Sequence, residues 1–177
     1  TRFKCDWSSD VCSSDLRLPN YFADRSGTDT ERELAALSAL ATDLGPDDSV
    51  VIFPEGTRGT ADKRARAVER LGERHPELAE QAASLRHTMP PRWGGAFALL
   101  DAAPDADVVV FVHHGLDGLS GLRTILAALP FRHPVTVELW RIPRAGIPED
   151  RDERRRWLFD LWTRMDAWVD SAVQARL

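Results

Sequence analysis

Apolar residues recur at three- and four-residue intervals near the start of the chain. Leu34, Leu37, Leu40, Ala41 and Leu44 form one stripe, which predicts an amphipathic helix over 28–46. Thr28 and Glu31 make a capping box at its start, and Gly45 with Pro46 ends it. The pattern then changes: "SVVIF" (49–53) is β-branched with no polar alternation, as in a central strand covered on both faces. Two charged helices follow, 61–75 and 76–87, divided at Pro76, and their charges read as solvated faces. A loop and short helix, "PPRWGGAFALLDAA", lead to a second buried strand, "DVVVFVH" (107–113), and a third, "VTVELWRI" (135–142). The last helix starts at "PEDRDERRR", with Pro148 at its beginning and acidic residues in its first turn. Its stripe of Trp157, Leu161, Trp162, Met165, Trp168, Val169 and Ala172 reads as core packing. Strands alternating with helices predict an α/β domain, and 177 residues suffice for one core.

Composition narrows the functions open to such a domain. A net charge of −5 lacks the basic surface that general nucleic-acid binding needs, so no nucleic-acid partner is expected. No apolar run reaches the ~18 residues of a membrane span, and "TRFKCDWSSDVCSSDL" lacks the apolar middle of a signal peptide. That opening is unusual in another respect. Thr1 to Leu16 back-translates without a mismatch to a sequencing-library adapter carrying a short index, so residues 1–16 read as a disordered artefact and 17–177 as the natural portion. On this reading the natural chain begins near Arg17 and is broken off on its N-terminal side. Both cysteines, Cys5 and Cys12, then fall outside it, and thiol chemistry, cysteine–zinc sites and any metal site are not expected.

The stretch with most chemistry is "FPEGTRG" (53–59). Gly56 allows close backbone approach or a positive φ. Thr57 offers a hydroxyl, and Arg58 can grip a phosphate with two parallel N–H donors. Glu55 cannot bind phosphate itself, but it can orient Arg58 or the loop. A plain surface turn with a solvated Arg–Glu pair has the same composition. The motifs of phosphate-cradling P-loops, dinucleotide folds and serine hydrolases do not occur.

The string "VVIFPEGTR" closely resembles the third sequence block of the glycerolipid acyltransferases, the family that includes 1-acyl-sn-glycerol-3-phosphate acyltransferase. "YFADRSG" resembles that family's second block, at a spacing filled by one helix. "LRHTMPPRWGGAFALL" and "VELWRIPRAGIPEDRDERRRWLFDLWTRMD" are similar to segments of the branch with eukaryotic multi-pass lysophospholipid acyltransferases. The resemblance runs from about Leu18 to Trp168. It implies part of a glycerol-phosphate-acyltransferase-type α/β domain, with a central, mostly parallel sheet flanked by helices. It also implies that Arg25, Glu55, Gly56, Thr57 and Arg58 belong to the pocket for the acceptor's glycerol phosphate. Acyl-CoA or another thioester serves as co-substrate without a cofactor, a lysophospholipid accepts the acyl group, and the full protein works at a membrane surface on its cytoplasmic face. One departure concerns the fourth block, which usually carries a valine–proline pair where this strand reads "DVVVFVHHG".

The family's catalytic pair, His-x-x-x-x-Asp, lies upstream of the second block. The implied histidine takes the proton from the acceptor hydroxyl as it attacks the thioester, and the aspartate holds the imidazole. No histidine of this chain has Asp five residues on; His133 with Glu138 comes nearest. The adjacent His113 and His114 point to opposite faces of a strand, one for the interior and one for the strand end. The chain is therefore expected to lack catalytic residues and to be inactive as it stands. The competing reading is a non-catalytic lipid- or phosphate-binding module. "GLSGLRTILAALPF" (118–131) fits either a helix at the bilayer surface or one buried under the sheet.

Overall fold

The computed structural model describes residues 30–56, 59–115 and 135–175. These residues form a mixed α/β structure: five α-helices and one two-stranded antiparallel sheet. The chain divides into two compact units, Thr1–Thr57 with Pro91–Ala106, and Arg58–Pro90 with Asp107–Leu177.

In the first unit, helix α1 (Thr30–Ala41) packs against a later helix, Trp93–Ala102. The expected apolar stripe is the packed one: Ala41 is buried, and Leu34, Leu37 and Leu40 are half-buried. The partner helix carries glycines where the two meet. An added Cβ at Gly94 would stand 3.6 Å from Leu34, and one at Gly95 would stand 3.1 Å from both Leu37 and Ile52. The Ser38 hydroxyl donates to the Ala98 carbonyl at 3.3 Å, while Phe97, Leu99 and Leu100 are buried. Helix α1 ends at Ala41, short of the predicted stop at Gly45. Asp43 takes the left-handed conformation at φ 57°, the position that closes many helices and that aspartate tolerates. Gly45 instead opens the next turn, where its N–H donates to the Asp48 carboxylate at 3.0 Å.

The run 49–53 differs from the expected strand. Val50 alone has a bridge partner, no ladder runs through 51–53, and Phe53 is 57% exposed. Among the described residues the only ladder is antiparallel, so the parallel central sheet is not part of the described architecture.

In the second unit, helices α2 (Ala61–Arg74) and α3 (Pro76–Ser84) are separated at His75, as Pro76 dictates. Thr60 caps α2 by accepting the Lys63 N–H at 3.3 Å. With the helix Trp93–Ala102 numbered α4, the strands are β1 (Val108–His114) and β2 (Thr136–Ile142), close to their predicted bounds. They pair antiparallel with Val110 opposite Trp140 and Phe111 opposite Leu139. Helix α5 (Arg151–Gln174) packs on β1. Asp150 caps it, accepting the Asp152 and Glu153 amides at 3.0 and 2.9 Å. Pro148 lies two residues before that cap, and its carbonyl accepts from Arg154 Nε at 2.8 Å.

The core of this unit joins Val110, Val112 and Trp140 to Leu161, with Trp157, Met165, Trp168 and Val169 packed around them. A fully buried side chain of this kind contributes roughly 1.5–3 kcal/mol and the half-buried ones less, so the aromatic stripe read from the sequence is indeed packing. The strands alternate where a doubly covered strand was expected. Val109 and Phe111 of β1 and Val137 and Leu139 of β2 face outward, exposed by 46–61%. One sheet face carries α5, and the opposite face is open among the described residues.

Candidate functional site

Of the residues expected in the phosphate pocket, Glu55 and Gly56 are described; Arg25, Thr57 and Arg58 lie outside the described residues, as do residues 1–16, 118–131 and His133. The described part is a tight turn. The Gly56 N–H donates back to the Phe53 carbonyl at 3.0 Å, with Pro54 and Glu55 at the corner. Proline pre-sets φ at the first corner position, and glycine is favoured at the fourth. Gly56 has φ 65°, the left-handed region that makes glycine the natural residue there. A second strand of chain holds the turn in place, since the Arg92 N–H donates to the Pro54 carbonyl at 2.9 Å.

That bond brings in a residue to which the motifs assigned nothing. A Cβ placed on Gly56 would lie 3.6 Å from Cδ and Nη1 of Arg92 and 3.7 Å from its Cζ. The arginine thus runs along the face of the glycine, just ahead of α4, and is exposed. The sequence signal was "PPRWGG", an arginine set between prolines and glycines directly before a helix.

The histidines divide as their spacing required. His114 is buried and His113 exposed, on opposite faces of β1. Glu138 accepts hydrogen bonds from the indole N–H groups of Trp140 and Trp168, so it ties strand to helix. Arg164 sits 4.1 Å from the centre of the Trp140 ring in a cation–π contact. His87 and Asp170 form a histidine–aspartate pair in space, Nε2 to Oδ1 at 3.0 Å. It lies beside a second anchor. The Asp166 carboxylate, only 6% exposed, accepts the backbone N–H of Arg86 at 2.9 Å and those of His87 and Thr88 at 2.7 Å each. It also accepts the Thr88 hydroxyl at 2.9 Å. Burial pushes the Asp166 carboxyl up, but the three amides and the hydroxyl outweigh it and hold it below the usual range. The 86–88 loop is an anion cradle filled by the chain's own aspartate, and the His87–Asp170 pair fastens its edge.

Hollows open on the described part of the second unit. One of about 240 Å³ is walled by Glu77, Asp152 and Arg155, another of about 500 Å³ by Arg64, Val68 and Leu85 among others; neither contains a residue of the Pro54–Gly56 turn. Among the described residues no group of three or more His, Cys, Asp or Glu could hold a metal ion. None of the described helices is long and apolar enough to cross a membrane. No protein-family model, curated protein or solved structure matches the chain.

Proposed function

We propose that the chain is part of an acyltransferase domain that moves an acyl group from an acyl thioester to the free hydroxyl of a lysophospholipid, with lysophosphatidate as acceptor. In this reading Arg58 and Arg25 grip the acceptor's phosphate, Glu55 orients them, and Gly56 and Thr57 admit the phosphate to the backbone. The central, mostly parallel sheet of the proposed domain would be completed by chain beyond the described residues. Acyl-CoA is the co-substrate, no cofactor takes part, and the whole protein works at a membrane.

The observation that carries the reading is the turn: glycine at φ 65° closes a Pro-Glu-Gly corner directly before Thr57 and Arg58. A glycine there permits close backbone approach of an oxyanion, and an arginine can grip it with a fork of donors. The absence of any His-x-x-x-x-Asp from the sequence favours a second reading, a phosphate-binding module without catalysis.

Sequencing unamplified source DNA upstream of the codon for Arg17 separates the two. A frame that carries His-x-x-x-x-Asp and joins "LPNYFADRSG" supports the enzyme. A frame that truly begins with "TRFKCDW", or continues upstream without the pair, withdraws it. The purified 177-residue chain is expected to show no thioester-dependent acylation, and measurable turnover would overturn that expectation.

A further inference from the structure

Gly59 and Thr60 join "FPEGTRG" to helix α2, and this junction rests on the segment that Asp166 holds. An added Cβ at Gly59 would stand 3.3 Å from Cγ and 3.5 Å from Sδ of Met89, a side chain only 4% exposed. Just beyond, Arg64 Nε donates to the Thr88 carbonyl at 3.1 Å. The Arg64 and Lys63 amides close the first turn of α2 on the carbonyl and hydroxyl oxygens of Thr60. Thr88 is thereby held from two sides. Its N–H and hydroxyl donate to Asp166, and its carbonyl accepts from Arg64. All these residues belong to the second unit.

Resting on the acceptor-phosphate reading above, we infer that Asp166 is a positioning residue for the motif's exit into α2. Asp166 touches no ligand in this account and acts through Thr88 and Met89. A buried carboxylate that gathers three consecutive amides and a hydroxyl fixes the backbone of 86–88. Met89 follows directly, so a shift of that backbone reaches Gly59 across a contact with little slack. A binding loop must keep its geometry to within about 0.5 Å, which takes a supporting layer of contacts behind it. Asp166 is the charged anchor of that layer. Asp166→Asn keeps the shape of the side chain and withdraws the charge that the amides gather on.

The test is calorimetric titration of the 177-residue chain and its variants with glycerol 3-phosphate, with hydrogen exchange of the Lys63 and Arg64 amides followed alongside. Val112→Ala, a core substitution in the same unit but outside this series of contacts, is the control for lost stability alone. Asp166→Asn should weaken glycerol 3-phosphate by roughly 3- to 30-fold. It should also speed exchange of both amides more than Val112→Ala does, while Val112→Ala leaves the affinity in place. Arg64→Met removes the donor to Thr88 and keeps the stem; it should weaken binding less and leave the thermal midpoint unmoved. An affinity unchanged in Asp166→Asn, or lost equally in Val112→Ala, would reduce Asp166 to a stabilising residue and leave the acceptor reading intact. Failure of the parent chain to bind glycerol 3-phosphate would overturn the acceptor reading and this inference with it.

Discussion

Two loops of this protein differ in the charge that the fold sets beside their backbone. At residues 86–88 three successive backbone amides and a hydroxyl converge on Asp166, a carboxylate supplied by α5. At residues 53–56 the chain makes an equally tight corner, braced by Arg92, but the nearby charge is an exposed cation. The first loop is complete and holds the second unit together. In the second, the Gly56 and Arg92 amides donate to the carbonyls of Phe53 and Pro54, and an anion there is the proposal made above. At the first loop the fold supplies the anion; for the second we propose that a ligand does.

The comparison is most easily broken at Asp166. Replacing it with alanine strands three amides and the Thr88 hydroxyl, and charged hydrogen bonds of this kind contribute roughly 1.5–3 kcal/mol each at most, non-additively. Asp166→Ala should therefore cost about 3 kcal/mol in the second unit, read as a lower urea midpoint at unchanged slope. Asp166→Asn should cost less, because one oxygen still accepts. A change under about 0.5 kcal/mol would show that the cradle contributes nothing.

A pH series sharpens the same point. Folding holds the carboxyls of Asp166, Asp107 and Asp150 below their ordinary value of 3.8. For Asp107 the cause is first the Arg144 amide and then the Arg141 guanidinium; for Asp150 it is first the Glu153 amide. The folded state binds fewer protons than the unfolded one in this range, so stability rises with pH there. The contribution is fully present above the unfolded value and is lost as pH falls through the folded ones. Urea midpoints should drop from about pH 5 downward, and Asp166→Asn should flatten part of that slope. An equal slope in both proteins would assign it elsewhere.

How much of this was legible in the sequence follows from what periodicity can report. Helix α5 and its aromatic stripe were readable because seven apolar residues repeat on one face. Pro76 divided α2 from α3 because proline has no N–H to donate. Asp166 was not readable: an aspartate among arginines on a long helix looks like a solvated charge until the 86–88 loop is brought to it. The run Val50–Phe53 misled for the reverse reason. Its residues suit a doubly covered strand, but a strand requires partner chains, and among the described residues only Val50 meets one. In β1, "VVVFV" hides an alternation that shows only once α5 covers one face. The turn at Pro54–Gly56 was readable from residue types alone, while Arg92, 36 positions beyond Gly56, was not.

The remaining expectations are smaller. Gly56→Ala forces a left-handed alanine and should cost roughly 1 kcal/mol, with little steric penalty because Arg92 stands at contact distance. Its effect on glycerol 3-phosphate affinity should exceed its effect on stability, as expected of a recognition turn. On the sheet, Val112→Ala removes a buried side chain and should cost about 1–3 kcal/mol. Phe111→Ser on the outward face should stay within about 0.5 kcal/mol. Equal costs in thermal unfolding would mean that the outward face is covered in solution.

The most direct measurement is a backbone amide NMR titration of the chain with glycerol 3-phosphate. Shifts should cluster at Glu55, Gly56 and the amides from Arg92 to Gly95, while Arg86, His87 and Thr88, already engaged by Asp166, stay in place. Shifts confined to the 86–88 loop, or no saturable shifts at all, would contradict the account, because the turn at Gly56 would then not be where the protein receives an anion.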